Sequence, residues 1–141
     1  MSRSLELISS RDRTRLSFSN FVGQTNSPTA ESFLVTVEAV DIRAEMRVSS
    51  YMAPSLATYF ANLARASWSG WSGDWTWATI EEDLRLSSSI DRTGHIKLRY
   101  EMRPNRSEFD WSIHGALELE VGRMEAIAQQ AKAAWPHQGA A

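Results

Sequence analysis

The sequence predicts an α+β fold, ββββαβββα in order: a single antiparallel β-sheet of six to seven strands with two helices packed on one face. Three observations predict it. Apolar and polar residues alternate in several short stretches, the period switches twice to a helical one, and the connections between strands are short enough to be hairpins. With 141 residues and 43% hydrophobic composition the chain predicts a single domain over 1–141, with a core from about 5 to 135 and a short flexible tail at 136–141.

The elements follow in order. Leu5 and Leu7, then Leu16 and Phe18 within Arg15 to Phe21, mark two short strands around the polar turn Ser9 to Thr14. Residues 22–30 have loop composition throughout. Phe33, Val35, Val37 and Ala39 are apolar at odd positions, whereas Val40, Ile42, Ala44, Met46 and Val48 are apolar at even ones. A period of two that changes phase marks a reversal near Ala39 to Asp41, hence two antiparallel strands. Leu56, Tyr59, Phe60, Leu63 and Ser67 then follow helical spacing, with Pro54 at the helix start, where its missing N–H costs nothing.

Trp68 to Trp77 is rich in Trp and Gly, and Thr79-Ile-Glu-Glu82 has the form of a capping box that predicts one helical turn. Three strands follow, around Leu84, Leu86 and Ile90; around Ile96, Leu98, Tyr100 and Met102; and from Phe109 through Trp111, Ile113 and Leu117 to Leu119. Asp91 to Gly94 is a short hairpin connection with Gly where positive φ is needed. From Val121 to Trp135 the helical stripe Met124, Ile127, Ala128, Ala131 and Trp135 is stopped by Pro136. Two amphipathic helices cover the apolar face of the sheet. The other face is then wet and carries Arg43, Glu45, Arg47, Lys97, Arg99, Glu101 and Arg103.

Composition excludes more than it assigns. Fifteen Lys and Arg against seventeen Asp and Glu leave no basic domain or tail, so no nucleic acid partner is expected. The absence of cysteine removes disulfides, thiol nucleophiles and cysteine-ligated metals. No signal-peptide run or long apolar segment occurs, so no membrane partner and a cytoplasmic location are expected. His95 abuts a hairpin turn, His114 lies on a polar strand face and His137 in the tail, with no metal-ligand spacing among them. Glu81, Glu82 and Asp83, near Asp74, predict a solvated turn. No phosphate-binding loop or hydrolase elbow is present, and Ser69-Gly-Trp-Ser-Gly73 matches the elbow only superficially. No cofactor or catalytic residue is assigned. An enzyme would have to gather carboxylates from separate strands, such as Glu38, Glu45 and Glu118.

Four of the six tryptophans fall between Trp68 and Trp77. They form either an aromatic recognition loop or a plug of indoles closing one end of the core, and the plug is favoured. Trp111 and Trp135 are expected in the core.

The succession of a helix, Trp68-x-Gly-Trp71-x-Gly73, Trp77, Glu82-x-Leu84-x-Leu86, Asp91-x-x-Gly94-His-Ile-x-Leu98, Trp111 and a closing helix after Leu117-Glu-Leu-Glu-Val-Gly122 resembles the bacterial domain of unknown function 6228, across roughly residues 31 to 135. That resemblance brings no catalytic residues. It implies an intracellular protein of the kind found beside secreted toxins, and thus a toxin-neutralising immunity protein. The resulting expectation is a non-enzymatic protein-binding domain, its partner a cognate toxin, with Arg43, Glu45, Arg47, Lys97, Arg99, Glu101, Trp71 and Trp75 as the contact residues. The alternatives are a small-molecule binder with a pocket between sheet and helices lined by Tyr59, Tyr100, Trp75 and Trp111, an enzyme using the distant carboxylates, and a homodimer formed through an edge strand.

Overall fold

The structure is a computed structural model that describes residues 4–24, 27–50, 53–104 and 108–135. The chain builds β1 (Ser4–Ile8), β2 (Arg15–Gln24), β3 (Ser27–Glu38), β4 (Arg43–Ser49), α1 (Leu56–Ser67), β5 (Trp75–Ala78), β6 (Leu84–Ile90), β7 (His95–Met102), β8 (Ile113–Glu120), a 3-10 turn (Val121–Arg123) and α2 (Met124–Ala134). All pairings among the described residues are antiparallel, and each strand neighbours the next in the chain except where α1 separates β4 from β5.

The strands do not form the single sheet that the sequence predicts. They form two four-stranded sheets, β1-β2-β3-β4 and β5-β6-β7-β8. The two meet at a seam where the turn after β1 reaches β8: Ser10 N–H donates to the Glu118 carbonyl at 2.9 Å, and Glu118 N–H donates to Ser9 Oγ at 3.0 Å. No ladder continues the seam, because the chain is already reversing there and Ser9 N–H is committed to the Thr14 carbonyl at 2.8 Å. Alternation identifies the inner face of each strand but not which strands are neighbours.

Both inner faces and both helices share one core, with Leu5, Leu7, Leu16 and Phe18 from the N-terminal sheet and Leu84, Leu86, Ile96 and Leu98 from the C-terminal one. Helix α1 spans the two sheets: Phe60 packs edge-on against Phe18 at 6.2 Å, while the Tyr59 hydroxyl lies 2.6 Å from Ser88 Oγ on β6 and donates to the Trp75 carbonyl at 2.8 Å. Burial pushes the Tyr59 phenol up to about 12. Trp135, at the end of α2, closes an aromatic cluster with Phe18, Phe21 and Phe33 at centroid distances of 5.8, 4.6 and 5.7 Å. Each such pair adds about 0.5–1.5 kcal/mol beyond area burial.

Other local expectations change. Pro54 is not the first residue of α1 but precedes its cap, Ser55, which accepts from Thr58 N–H; the Pro54 carbonyl accepts from Trp77 Nε1 at 2.8 Å. Residues 22–30 are not a loop throughout, since β2 runs to Gln24 and β3 begins at Ser27. Thr79 to Glu82 form a turn between β5 and β6 rather than a helical turn. Glu82 N–H donates to the Thr79 carbonyl and Glu82 has φ +59°, a left-handed conformation that ends helical winding. The Thr79 hydroxyl bonds Asp83, so this acidic stretch is partly tied down. Trp75–Ala78 is a strand that the Trp-rich composition conceals. Strand β8 begins only at Ile113, which leaves Phe109 89% and Trp111 39% exposed instead of facing inward. Gly94, at φ +86°, turns the β6–β7 hairpin as expected. Pro136, His137 and the expected flexible tail lie outside the described residues.

Candidate functional site

The predicted wet face exists on both sheets. Arg43, Glu45, Arg47, Lys97, Arg99, Glu101 and Arg103 are all exposed. Their surroundings differ, however. On the N-terminal sheet the charges satisfy one another across all four strands. Arg15 lies 3.9 Å from Glu6 and 4.0 Å from Glu38, and Arg43 lies 3.6 Å from Glu38 and 3.1 Å from Glu45. Arg47 donates to the Asn20 carbonyl and to Ser32 Oγ. Exposed pairs of this kind contribute about 0–1 kcal/mol each, but they leave few charges for a partner.

The C-terminal sheet is organised in cross-strand rows. Arg85 pairs with Glu101, and Glu101 with His114; Ser87 pairs with Arg99, and Arg99 with Ala116; Ser89 pairs with Lys97, and Lys97 with Glu118. Ser87, Ala116 and the neighbouring Gly115 are small, so the middle of the face sinks between the longer side chains. A hollow of about 470 Å³ lined by Arg85, Arg99, Glu101 and His114 results. A second hollow of about 320 Å³, bounded by Arg11, Asp91, His95 and Glu118, shares Lys97 and Ala116 with the first, so the two make one trough. The strands beneath it extend for about 20 Å at the usual rise. Arg99 is held by Asp74 at 3.2 Å. Among the described residues, Lys97, Glu101 and Arg103 make no ion pair within 4 Å.

The tryptophans are not gathered on this trough. Trp75 opposes Ser88 and shares the inner face with Trp77, at the β5 edge. Trp71 stacks on Trp75 at 5.0 Å and 24°, and its Nε1 donates to the Ser88 carbonyl at 3.2 Å. Trp77 is buried, Trp75 is at the margin, and Trp68 is 74% exposed at the end of α1. The cluster is thus divided between plug and surface. Its link to the charged face is Asp74, which precedes Trp75 and holds Arg99.

The residues named for an internal pocket are also dispersed. Tyr59 and Trp75 meet through a hydrogen bond, Tyr100 lies over Gly115, and Trp111 lines a groove with Met46 and Pro104. Glu38 and Glu45 share Arg43 on one sheet, while Glu118 belongs to the other. The structure does bring together a group that the sequence reading misses: His95, Glu118 and Glu120, near Ser10. The signal available for it was Glu-x-Glu on one strand, which places both carboxylates on one face.

These features define a two-sheet α+β domain with a charged outer trough. The chain belongs to the family of unknown function DUF6228, whose model matches residues 7–138. No significant match to it was found among curated proteins or among solved structures. No helix among the described residues is long and apolar enough to cross a membrane.

Proposed function

We propose that the protein is a non-enzymatic binding domain that docks another protein in the trough of the C-terminal sheet, the partner being a toxin domain that it neutralises inside the cell. The observation that carries this reading is the contrast between the two outer faces. Charges on the N-terminal sheet are spent on one another or, for Arg47, on the Asn20 carbonyl and Ser32 Oγ, whereas Lys97 and Glu101 line the trough without ion-pair partners among the described residues. A concave surface of mixed charge suits a partner of complementary pattern, with fast and selective association. Trp71 and Trp75 lie on the inner side at the β5 edge, so they add affinity where the partner also wraps around that edge. Charges of both signs along the trough disfavour a uniformly anionic ligand such as nucleic acid.

The test is a titration of the protein with the product of the gene beside its own. Saturable binding that is lost in the Lys97→Glu/Glu101→Lys double variant, which inverts the pattern without altering net charge, supports the reading. Absence of binding, or binding indifferent to that inversion, overturns it.

A further inference from the structure

At the seam end of the trough, His95, Glu118 and Glu120 each offer one ligand atom, and these atoms lie within 4.8 Å of one another. Glu118 and Glu120 are two residues apart on β8 and so share a face, and His95 is the cross-strand partner of Glu120 on β7. His95 Nε2 is 3.3 Å from Glu120 Oε1. Ser10 Oγ is 2.9 Å from Glu118 Oε1 and 3.2 Å from Glu120 Oε2. One hydroxyl carries one proton and can satisfy only one of these carboxylates.

The other side of the imidazole fixes what Nε2 presents. Thr93 Oγ1 lies 2.9 Å from Asp91 Oδ1 and 2.8 Å from His95 Nδ1. An ionised Asp91 only accepts, so Thr93 gives its proton to Asp91 and must accept from the Nδ1–H of His95. In the neutral ring, Nε2 therefore turns a lone pair towards the Glu120 carboxylate, acceptor facing acceptor. The surrounding cations do not close this gap. Arg11 and Lys97 line the trough side, and Arg13 and Arg123 line the cleft on the other side, yet none of the four lies within 4 Å of either carboxylate.

We propose that His95, Glu118 and Glu120, with the Ser10 hydroxyl beside them, form a site for a divalent cation of the zinc class. Imidazole nitrogen with two carboxylates is a donor set suited to Zn²⁺, and it lacks the six to eight oxygens that Ca²⁺ takes. Ligands about 2 Å from a tetrahedral zinc lie about 3.3 Å apart, the separation already found between His95 and Glu120. The Asp91–Thr93 pair supplies the outer hydrogen bond that orients a metal-binding histidine. Because Ser10 belongs to the β1–β2 turn and the other groups to β7 and β8, the ion fastens the two sheets across their seam.

Tag-free, chelator-treated full-length protein titrated with zinc chloride tests this by calorimetry and thermal unfolding. The expected result is one zinc per chain, a raised Tm, and binding weakened at least tenfold in Glu120→Gln and in His95→Gln, with His137→Ala unchanged. Glu118→Gln provides a variant that leaves the hairpin hydrogen bonds of His95 intact. Cobalt in place of zinc gives the visible absorption of a nitrogen- and oxygen-ligated tetrahedral ion, which His95→Gln alters. No saturable zinc binding by the unsubstituted chain, binding unaffected by both glutamate variants, or tighter binding of calcium than of zinc overturns the proposal.

Discussion

Tyr100 lies directly across the β7–β8 pair from Gly115, and its ring occupies the space a side chain at 115 would need: a Cβ there would sit 2.8 Å from Tyr100 Cζ. Gly115 lines the trough beside Tyr100, so the contact links the core to the proposed docking surface. The Gly115→Ala variant is expected to lose about 1–3 kcal/mol through overpacking. Gly122, where a Cβ would meet no atom of the described residues within 4 Å, is the contrast; Gly122→Ala should stay within about 0.5 kcal/mol of the parent. Urea unfolding of both variants checks the pair.

Tyr59 ties α1 to β6 and β5 through one hydroxyl. Tyr59→Phe leaves the buried Ser88 hydroxyl without that partner and should cost about 1–3 kcal/mol. The phenol also sets an alkaline limit. Its folded value, pushed up to about 12 by burial, exceeds the ordinary 10.0. The native state thus holds a proton that the unfolded chain releases first, and this contribution is complete below pH 10 and is lost as the pH rises from 10 to 12. Unfolding midpoints measured across that range should fall more steeply for the parent than for Tyr59→Phe.

Two equally buried indoles should respond differently to the same substitution. Trp77 is 3% exposed and donates to the Pro54 carbonyl, whereas Trp135 is 2% exposed and its Nε1 has no partner among the described residues. Trp77→Phe removes a hydrogen bond along with packing. Trp135→Phe removes packing and relieves an unsatisfied N–H, which offsets about 1–3 kcal/mol. Chemical denaturation should therefore rank Trp77→Phe as the more damaging change.

Asp12 sustains the turn that carries Ser10 to the seam. Its Oδ1 accepts from Thr14 N–H at 3.0 Å, and this backbone bond, ahead of the Thr14 side chain, holds its carboxyl below the usual 3.8. A lowered value stabilises the native state above the unfolded value, and the gain disappears as the pH falls through the folded one. The stability difference between the parent and Asp12→Asn should accordingly be present at pH 6 and shrink towards pH 2 in acid unfolding.

Inward positions were legible because burial enforces the period of each element: Leu5, Leu7, Leu16, Phe18, Ile96 and Leu98 all face the core. So was the outer face of Lys97, Arg99 and Glu101, which follows from the same alternation. Partition into two sheets was not legible, since it depends on the single seam between Ser10 and Glu118, far apart in sequence. Trp111 misled because apolar alternation begins at Phe109, four residues before the strand does. The four-residue strand at Trp75 was hidden among glycines. The group at His95 was half legible: Glu118 and Glu120 show their common face in sequence, but the approach of Ser10 depends on the seam.

Docking on the outer face of the C-terminal sheet is tested most directly by calorimetric titration of the neighbouring gene's product with two charge-inverted variants. Lys97→Glu/Glu101→Lys should abolish binding while Arg43→Glu/Glu45→Arg, on the self-paired sheet, retains it, with both variants folded by circular dichroism. Retention by the first and loss by the second would contradict the account.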